Sequence, residues 1–511
     1  MTRRAFGAVA GGSLLSAAPP RRPNILHLMT DGQQWGTIAE RSECRTPNLN
    51  RLAASGVLFE RSYTPSALCC PARAMLVSGA YHWHNGVYNQ VHSAPSVSRD
   101  MFPDVVTYPQ QLRQAGYRQG HVGKWHASYL RTPLDFGYDE IALVSGCRPS
   151  LLTKLNNNPD RIELPPKDAV RVVPSRMARW PGSEPFVWWG YREGPEEATE
   201  EYARAEAAIR MMRRFAKGDQ PWHVELHYNY PDLCVPLKSY LDRYDPRSIP
   251  IPNSFHDTFA GKPGLHRKES ESWGPMTGDD YRQGRAHYYA YWEQVDAQLG
   301  RVLKALEETG QADNTIVVAT TDHGSMACAH RMWFMGWLPY EECYRIPMIV
   351  RWPGVSRPGA KSSRLVQLHD LAHTYVNAAA AEPLPFADGR NLRPLLADPE
   401  GAAWTDEIMC AFYGGEFLYT QRITLTDRFK YVFNGFDFDE MYDLERDPEE
   451  LQNVVDRTDY RMHVDDMRTR LYGMMSKFED PYGDVGPRNS LGSRPNHWDA
   501  PRYLPRGKRI R

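Results

Sequence analysis

Two short apolar runs that each end on an aspartate constrain this chain most: Ile25 to Met29 leads into Asp31, and Thr315 to Ala319 leads into Asp322. Both read as strands with an acid at the carboxyl end. Ahead of the second run, Tyr288, Trp292, Val295, Leu299, Val302 and Leu306 recur at steps of four and three, the buried stripe of a long helix that Gly310 stops. The same helix-then-strand order recurs with Val105 to Ala115 before His121-Val122-Gly123, and with Glu201 to Ala216 before His223 to Leu226. This alternation predicts an α/β fold with a mostly parallel central sheet flanked by helices. Ligands in such sheets bind beyond the carboxyl ends of the strands, where Asp31 and Asp322 are expected to stand.

The remainder of the chain is organised differently. After about Pro394 come short aromatic strands, Arg422 to Thr426 and Lys430 to Phe433, and an amphipathic helix from Tyr460 to Phe478. A main domain over 23–394, a smaller α+β domain over 395–480 and a surface tail over 481–511 are therefore expected. The first 22 residues, with Arg3-Arg4 ahead of a weakly apolar stretch and Ser16-Ala17-Ala18, resemble a twin-arginine export signal, which implies a periplasmic or extracellular destination. The 61 basic and 62 acidic residues leave no net field to attract nucleic acid or an anionic membrane, and no run is long and apolar enough to span a bilayer. Eight cysteines, at 44, 69, 70, 147, 234, 328, 343 and 410, show neither a zinc spacing nor a disulfide framework, so small buried hydrophobes are expected.

Cys69-Cys70-Pro71-Ala72-Arg73 carries the chemistry. It has the Cys-x-Pro-x-Arg spacing read by enzymes that oxidise a cysteine to formylglycine. Pro71 suits the first position of a helix that continues through Ala72 to Ser78 and closes at Gly79. A helix N-terminus offers free N–H groups and a positive dipole end, and Arg73 adds a fixed charge, so an anion such as sulfate or phosphate is favoured there.

Around this pentapeptide lie Arg22-Pro23-Asn24, Thr46-Pro47-Asn48-Leu49, Tyr63-Thr64-Pro65-Ser66, Gly123-Lys124-Trp125-His126, Thr321-Asp322-His323-Gly324, Tyr340-Glu341-Glu342 and Tyr442-Asp443-Leu444. In that order, from about Pro23 to about Asp480, these motifs resemble the sulfatase family. The resemblance implies an alkaline phosphatase-like fold and hydrolysis of a sulfate ester. It also implies a formylglycine nucleophile made from Cys69 by a formylglycine-generating enzyme, and a divalent cation, with Ca2+ expected and Mg2+ or Mn2+ as alternatives. The metal positions that it implies are Asp31, Cys69, Asp322 and His323. Lys124 and His126 are expected to reach the sulfate and the nucleophile, and Arg73 to hold both nucleophile and metal in place. Two apart in an extended segment, Lys124 and His126 are expected on one face.

Three departures limit this reading. Gly32 stands where relatives often carry a second acid, leaving Gln33 or a backbone carbonyl to complete the shell. The family's Pro-His reads Pro231-Asp232, and an ionised aspartate is a poor acid beside an anion, so either His227 or another group protonates the leaving oxygen or the leaving group needs little protonation; a cationic substrate would also explain an acid there. Met335 occupies the usual lysine position before Tyr340-Glu341-Glu342, with His330 or Arg331 as candidate substitutes. A phosphonate or phosphate ester hydrolase on the same scaffold, and a binder of sulfated glycans without activity, are the alternatives. His82, His84 and His92 read as loop or core histidines, and Trp180, Trp188, Trp189 and Tyr191 as core in preference to a sugar-stacking platform. Aryl, glycan and choline-like sulfates all remain open as substrates.

Overall fold

The computed structural model describes residues 22–482 apart from 39–42, 94–95, 153–159, 161, 167, 180–183, 230–233, 336, 387, 416 and 436. The candidate export segment, Trp180, Asp232 and the tail beyond 482 therefore lie outside the described residues. Eight strands form the central sheet in the order Ala360–Ser362, Val57–Phe59, Met348–Arg351, Thr315–Thr321, Asn24–Thr30, Trp222–His227, Arg118–Lys124 and Glu140–Ser145. Every antiparallel pairing in it involves Met348–Arg351, and the rest are parallel. Both aspartates directly follow their strands, which pair in register from Asn24 with Thr315 to Thr30 with Thr321.

Strand alternation divides the core in two. Leu26 and Leu28 face one apolar cluster with the helices Glu200–Phe215 and Gly278–Glu308, while Ile25 and Met29 face another with Cys69–Ser78, Tyr108–Gln114 and Asp370–Ala378. The six residues of the long-helix stripe are all buried. That helix begins with a capping box, Thr277 accepting from the Asp280 N–H at 3.2 Å and Asp280 accepting from the Thr277 N–H at 2.8 Å. Further along, its Asp296 accepts from the Asn48 and Leu49 N–H groups at 3.0 and 2.8 Å. It thereby caps the helix Pro47–Ser55, whose own Thr46 makes no side-chain cap.

The helix carrying the pentapeptide spans Cys69–Ser78, with Leu68 as N-cap and Gly79 in the left-handed region at φ 68°. It thus begins two residues before Pro71. Pro71 still falls within the first turn, where a missing N–H leaves no intrahelical bond unmade. Lys124 ends its strand, but the segment does not stay extended: the ladder shifts register between Val122 and Lys124, Gly123 has φ 95° and His126 has φ 57°. Lys124 and His126 reach a common cavity because the chain turns, not through strand alternation.

A separate antiparallel sheet, Ile408–Phe412, Gln421–Leu425, Phe429–Asn434 and Glu440–Asp443, packs against the helix Arg461–Lys477. It reaches the main sheet's ligand edge through Lys430. This fully buried ammonium donates to Glu341 at 2.9 Å, Glu450 at 2.6 Å and the Pro339 carbonyl at 2.8 Å. Glu341 opens the short helix Glu341–Tyr344, whose Cys343 and Glu342 carbonyls accept from the Gly324 and Ser325 N–H groups at 2.8 and 2.9 Å. The loop after Asp322 is therefore braced by the smaller sheet. Lys430→Met leaves buried carboxylates without their cation and is expected to cost roughly 3–5 kcal/mol. A urea midpoint unchanged from the parent would contradict this brace.

Candidate active site

The two strand-tip acids meet on Arg73. Its Nε donates to Asp322 Oδ2 at 2.7 Å, its Nη2 to Asp31 Oδ2 at 3.0 Å and its Nη1 to the Lys124 carbonyl at 2.8 Å, all in a fully buried setting. Lys124 Nζ also binds Asp31 Oδ2. Burial opposes ionisation of Asp31, but Lys124 and then Arg73 outweigh it and bring its pKa down to about 2. The Cys69 sulfur, at the first residue of its helix, lies 3.1 Å from His323 Nε2 and 3.9 Å from Asp31 Oδ1. His323 Nδ1 contacts the Gly324 carbonyl at 2.7 Å and so serves as the donor there, which turns Nε2 towards the sulfur.

Ligand atoms of Asp31, Cys69, Asp322 and His323 all lie within 4.8 Å of one another. Two ionisable carboxylates, an imidazole and the atom at position 69 form a donor set that fits a divalent cation. Burial works against protonating His323, yet Asp322, the Cys69 sulfur and Asp31 hold its pKa up at about 10. Arg73 and Lys124 already compensate the two carboxylates, and a cation entering the group would take the place of the His323 proton.

Above the sulfur opens a cavity of about 530 Å³. Lys124 and His126 share its wall with His92, Arg192, Arg204 and Met335. His126 Nε2 contacts His92 Nδ1 at 2.7 Å. Burial, reinforced by the Lys124 charge, pushes the His126 pKa well below the usual histidine value, so the ring is neutral at physiological pH. Arg204 pairs with Glu200 at 3.0 Å and Arg192 with Glu201 at 3.1 Å, giving the far wall alternating charge.

The family described as Sulfatase matches residues 23–230 and 248–381, and the one described as N-sulphoglucosamine sulphohydrolase, C-terminal, matches 329–477. The chain belongs to the sulfatase family. It is a sulfuric ester hydrolase of the alkaline phosphatase-like superfamily. The Escherichia coli K12 protein named uncharacterized sulfatase YidJ is 28% identical over 480 residues, covering 90% of this chain and 89% of its own. The N-acetylglucosamine-6-O-sulfatase of Bacteroides thetaiotaomicron is 25% identical over 521 residues, covering 92% and 90%. Among solved structures, BT4656 in complex with its substrate D-glucosamine-2-N,6-O-disulfate aligns with a TM-score of 0.71 at 22% identity, over 91% of this chain and 99% of that one. The phosphonate monoester hydrolase SpPMH from Silicibacter pomeroyi aligns equally well, TM-score 0.71 at 22% identity over 89% and 95%. These two likenesses establish the shared fold.

Several sequence expectations for this sulfatase are corrected by its tertiary contacts. Gln33 does not turn to the acids: its Oε1 accepts from Thr30 Oγ1 at 2.8 Å and its Nε2 donates to Thr37 Oγ1 at 2.9 Å. His227 lies below Arg73, its Nδ1 3.4 Å from Nη1, and lines no part of the cavity. His330 and Arg331 do not replace the lysine missing at Met335. His330 is spent on Asp257 at 2.8 Å, and Arg331 donates to the Phe255 and Asp257 carbonyls. Trp188 and Trp189 are core, as is His82, and His84 pairs with Asp388 at 2.7 Å. His92, in contrast to the loop or core place expected for it, stands at the cavity wall. No periodicity marks it, because it arrives on an irregular loop.

Replacing Arg73 by Met takes from Asp322 its buried guanidinium partner and leaves Asp31 with Lys124 alone. A loss of about 3–5 kcal/mol is expected in chelator-treated protein, partly restored by a divalent cation. Thermal melts with and without the cation check this, and an unaltered melt in chelator would contradict it.

Proposed function

We propose that this sulfatase cleaves its ester through a formylglycine made from Cys69, assisted by a divalent cation, Ca2+ in the first instance, held by Asp31, Asp322, His323 and the modified side chain. The observation that carries the reading is the Cys69 sulfur at a helix N-terminus, 3.1 Å from His323 Nε2 and at the floor of the cavity. A thiol sulfated at this position would be a dead end, whereas a hydrated aldehyde attacks sulfur with one hydroxyl and later releases sulfate by collapsing through the other. The cation, when bound, polarises the sulfate and lowers the pKa of the attacking hydroxyl.

The chain's own residues do the rest. Arg73 clamps the two carboxylates, so position 69 and the metal ligands keep one geometry. Lys124, held ionised because Asp31 outweighs the burial that opposes its charge, presents positive charge to the sulfate oxygens. Neutral His126, coupled to His92, is placed to hand a proton to the leaving oxygen or take one from the nucleophile. The Arg192–Glu201 and Arg204–Glu200 pairs offer donors and acceptors together, which suits a sulfated saccharide better than a plain aryl ester. A family relative that acts on an amino sugar, by its name, supports the same choice. Export through the twin-arginine route, after cytoplasmic modification of Cys69, completes the proposal.

Phosphonate hydrolysis is the second reading, favoured by the equal likeness to SpPMH. Glucosamine sulfates are expected to turn over faster than aryl sulfate, and aryl sulfate faster than aryl phosphonate; a faster phosphonate turnover overturns the sulfate assignment. Co-expressed with a formylglycine-generating enzyme, the peptide containing Cys69 is expected to carry the aldehyde by mass spectrometry. Intact thiol in fully active protein would end the nucleophile assignment.

Asp322→Ala is expected to lower kcat by at least about 10²–10³-fold. Its loss of cation, followed by elemental analysis, should parallel its loss of rate. His323 carries a proton below its pKa of about 10, and a cation taking Nε2 must displace it. Binding to the unmodified chain should therefore release one proton near pH 7 and tighten as the pH rises towards 10. Calorimetry in buffers of different ionisation enthalpy reads the proton count, and a count of zero removes His323 from the ligand set.

A further inference from the structure

Beneath Arg73, on the sheet face covered by Tyr108 and Tyr375, five polar residues form a cross. Glu225 is its centre. His27 and His121 stand directly opposite Glu225 on the two neighbouring parallel strands, while His223 and His227 lie two residues before and after it on the same strand. Period-two alternation puts all five on one face. Each is buried, with at most 3% of its surface exposed.

The cross contains more nitrogen than its carboxylate can serve. Glu225 already accepts from the Tyr108 hydroxyl, from Tyr138 at 2.6 Å and from His121 Nδ1 at 2.8 Å. His27 Nδ1 and Nε2, His223 Nε2 and His227 Nε2 make no hydrogen bond, although all are fully shielded from water. For His223 the tautomer follows from its neighbour. Gln119 Nε2 donates to the Pro109 and Gly137 carbonyls, so its Oε1 accepts from His223 Nδ1 at 3.0 Å and leaves Nε2 facing Glu225 Oε1 at 3.4 Å. Burial keeps His227 neutral against the pull of the Glu225 charge, and burial does the same for His27. Burial works against ionisation of Glu225, while the hydrogen bonds it accepts from His121, Tyr108 and Tyr138 favour the charged carboxylate. These unpartnered nitrogens converge on one carboxylate in a dry core, and a metal ion between them would satisfy them together.

We propose that His27, Glu225 and His227 form a second metal site, structural and separate from the one at Asp31 and Asp322, that takes Zn2+. Their ligand atoms lie within 4.8 Å of one another. His27 Nδ1 is 3.6 Å from Glu225 Oε1, and His227 Nε2 is 3.6 Å from Oε2. These separations exceed a hydrogen bond and approach the edge of about 3.3–3.4 Å expected between ligands in tetrahedral zinc with bonds near 2.0–2.1 Å. Two neutral imidazoles and one carboxylate suit a borderline cation better than Ca2+. His227 Nδ1 meets the Lys124 carbonyl at 3.3 Å, the outer hydrogen bond that orients a ligating ring. His223 supplies a further imidazole beside the three. None of this rests on the sulfate-ester reading.

Zinc can also enter the acid site and the Cys70, His92, His126 group, whose ligand atoms lie within 4.8 Å as well. A triple variant, with Cys69→Ala and Asp322→Ala at the first and Cys70→Ala at the second, keeps no more than two candidate ligands at either and leaves the cross untouched. Reconstituted with Zn2+ and desalted, it is expected to keep one zinc per chain by elemental analysis, with imidazole scattering at the zinc absorption edge. Adding His27→Phe or Glu225→Gln is expected to remove that zinc while the circular dichroism is retained. A folded triple variant without zinc overturns the site, as does undiminished zinc after both further substitutions. Should those substitutions prevent folding, the metal content and edge spectrum of the triple variant decide alone.

Discussion

The Arg73 guanidinium is what the rest of the site depends on. Asp31 and Asp322 end adjacent parallel strands, so their carboxylates necessarily converge, and two buried like charges repel unless a cation joins them. Arg73 does so with a planar fork that touches both, which a lysine cannot reproduce. Because Arg73 is one helical turn beyond Cys69, the same contact fixes the sulfur above the acids. A single side chain therefore sets the spacing between Cys69 and the two strand-tip acids.

That clamp needs support from both sides. Below it, His227 and the Glu225 cross fill the sheet face with polar groups where an apolar core is the rule, and they press against Arg73 from the interior. Beyond Asp322, the loop is tied to the Glu341–Tyr344 helix, which is tied through Lys430 to the C-terminal sheet. The smaller sheet thus serves the site at a distance. Lys430 also shows why a buried charge so far from the chemistry persists: both carboxylates that it contacts lie on elements that must not move relative to Asp322.

The cavity wall is built largely by residues outside the sequence motifs. Met335 gives it an apolar thioether, and Gly32, which does not line it, accepts through its carbonyl from Tyr288 at 2.8 Å. Positive charge enters instead from Arg192 and Arg204, each balanced by a glutamate from the helix Glu200–Phe215. The floor of the cavity thus comes from the motif residues Cys69, Lys124 and His126, and its wall from elements that no motif marks.

The sequence by itself determined the scaffold and the place of the strand-end acids on it. Asp31 and Asp322 could be placed at strand ends from apolar runs alone, Cys69 and Arg73 from a spacing of four, and the long helix from its stripe, because these are local signals with fixed periods. Tertiary structure decided what those residues touch. His92 enters the site on an irregular loop, His126 through a left-handed turn after Gly123, and the Glu225 cross only when three strands come into register. None has a local period, since each depends on segments distant in sequence meeting across a sheet or a cavity. The sequence could say which groups are reactive; only the packed sheet brings them within bonding distance.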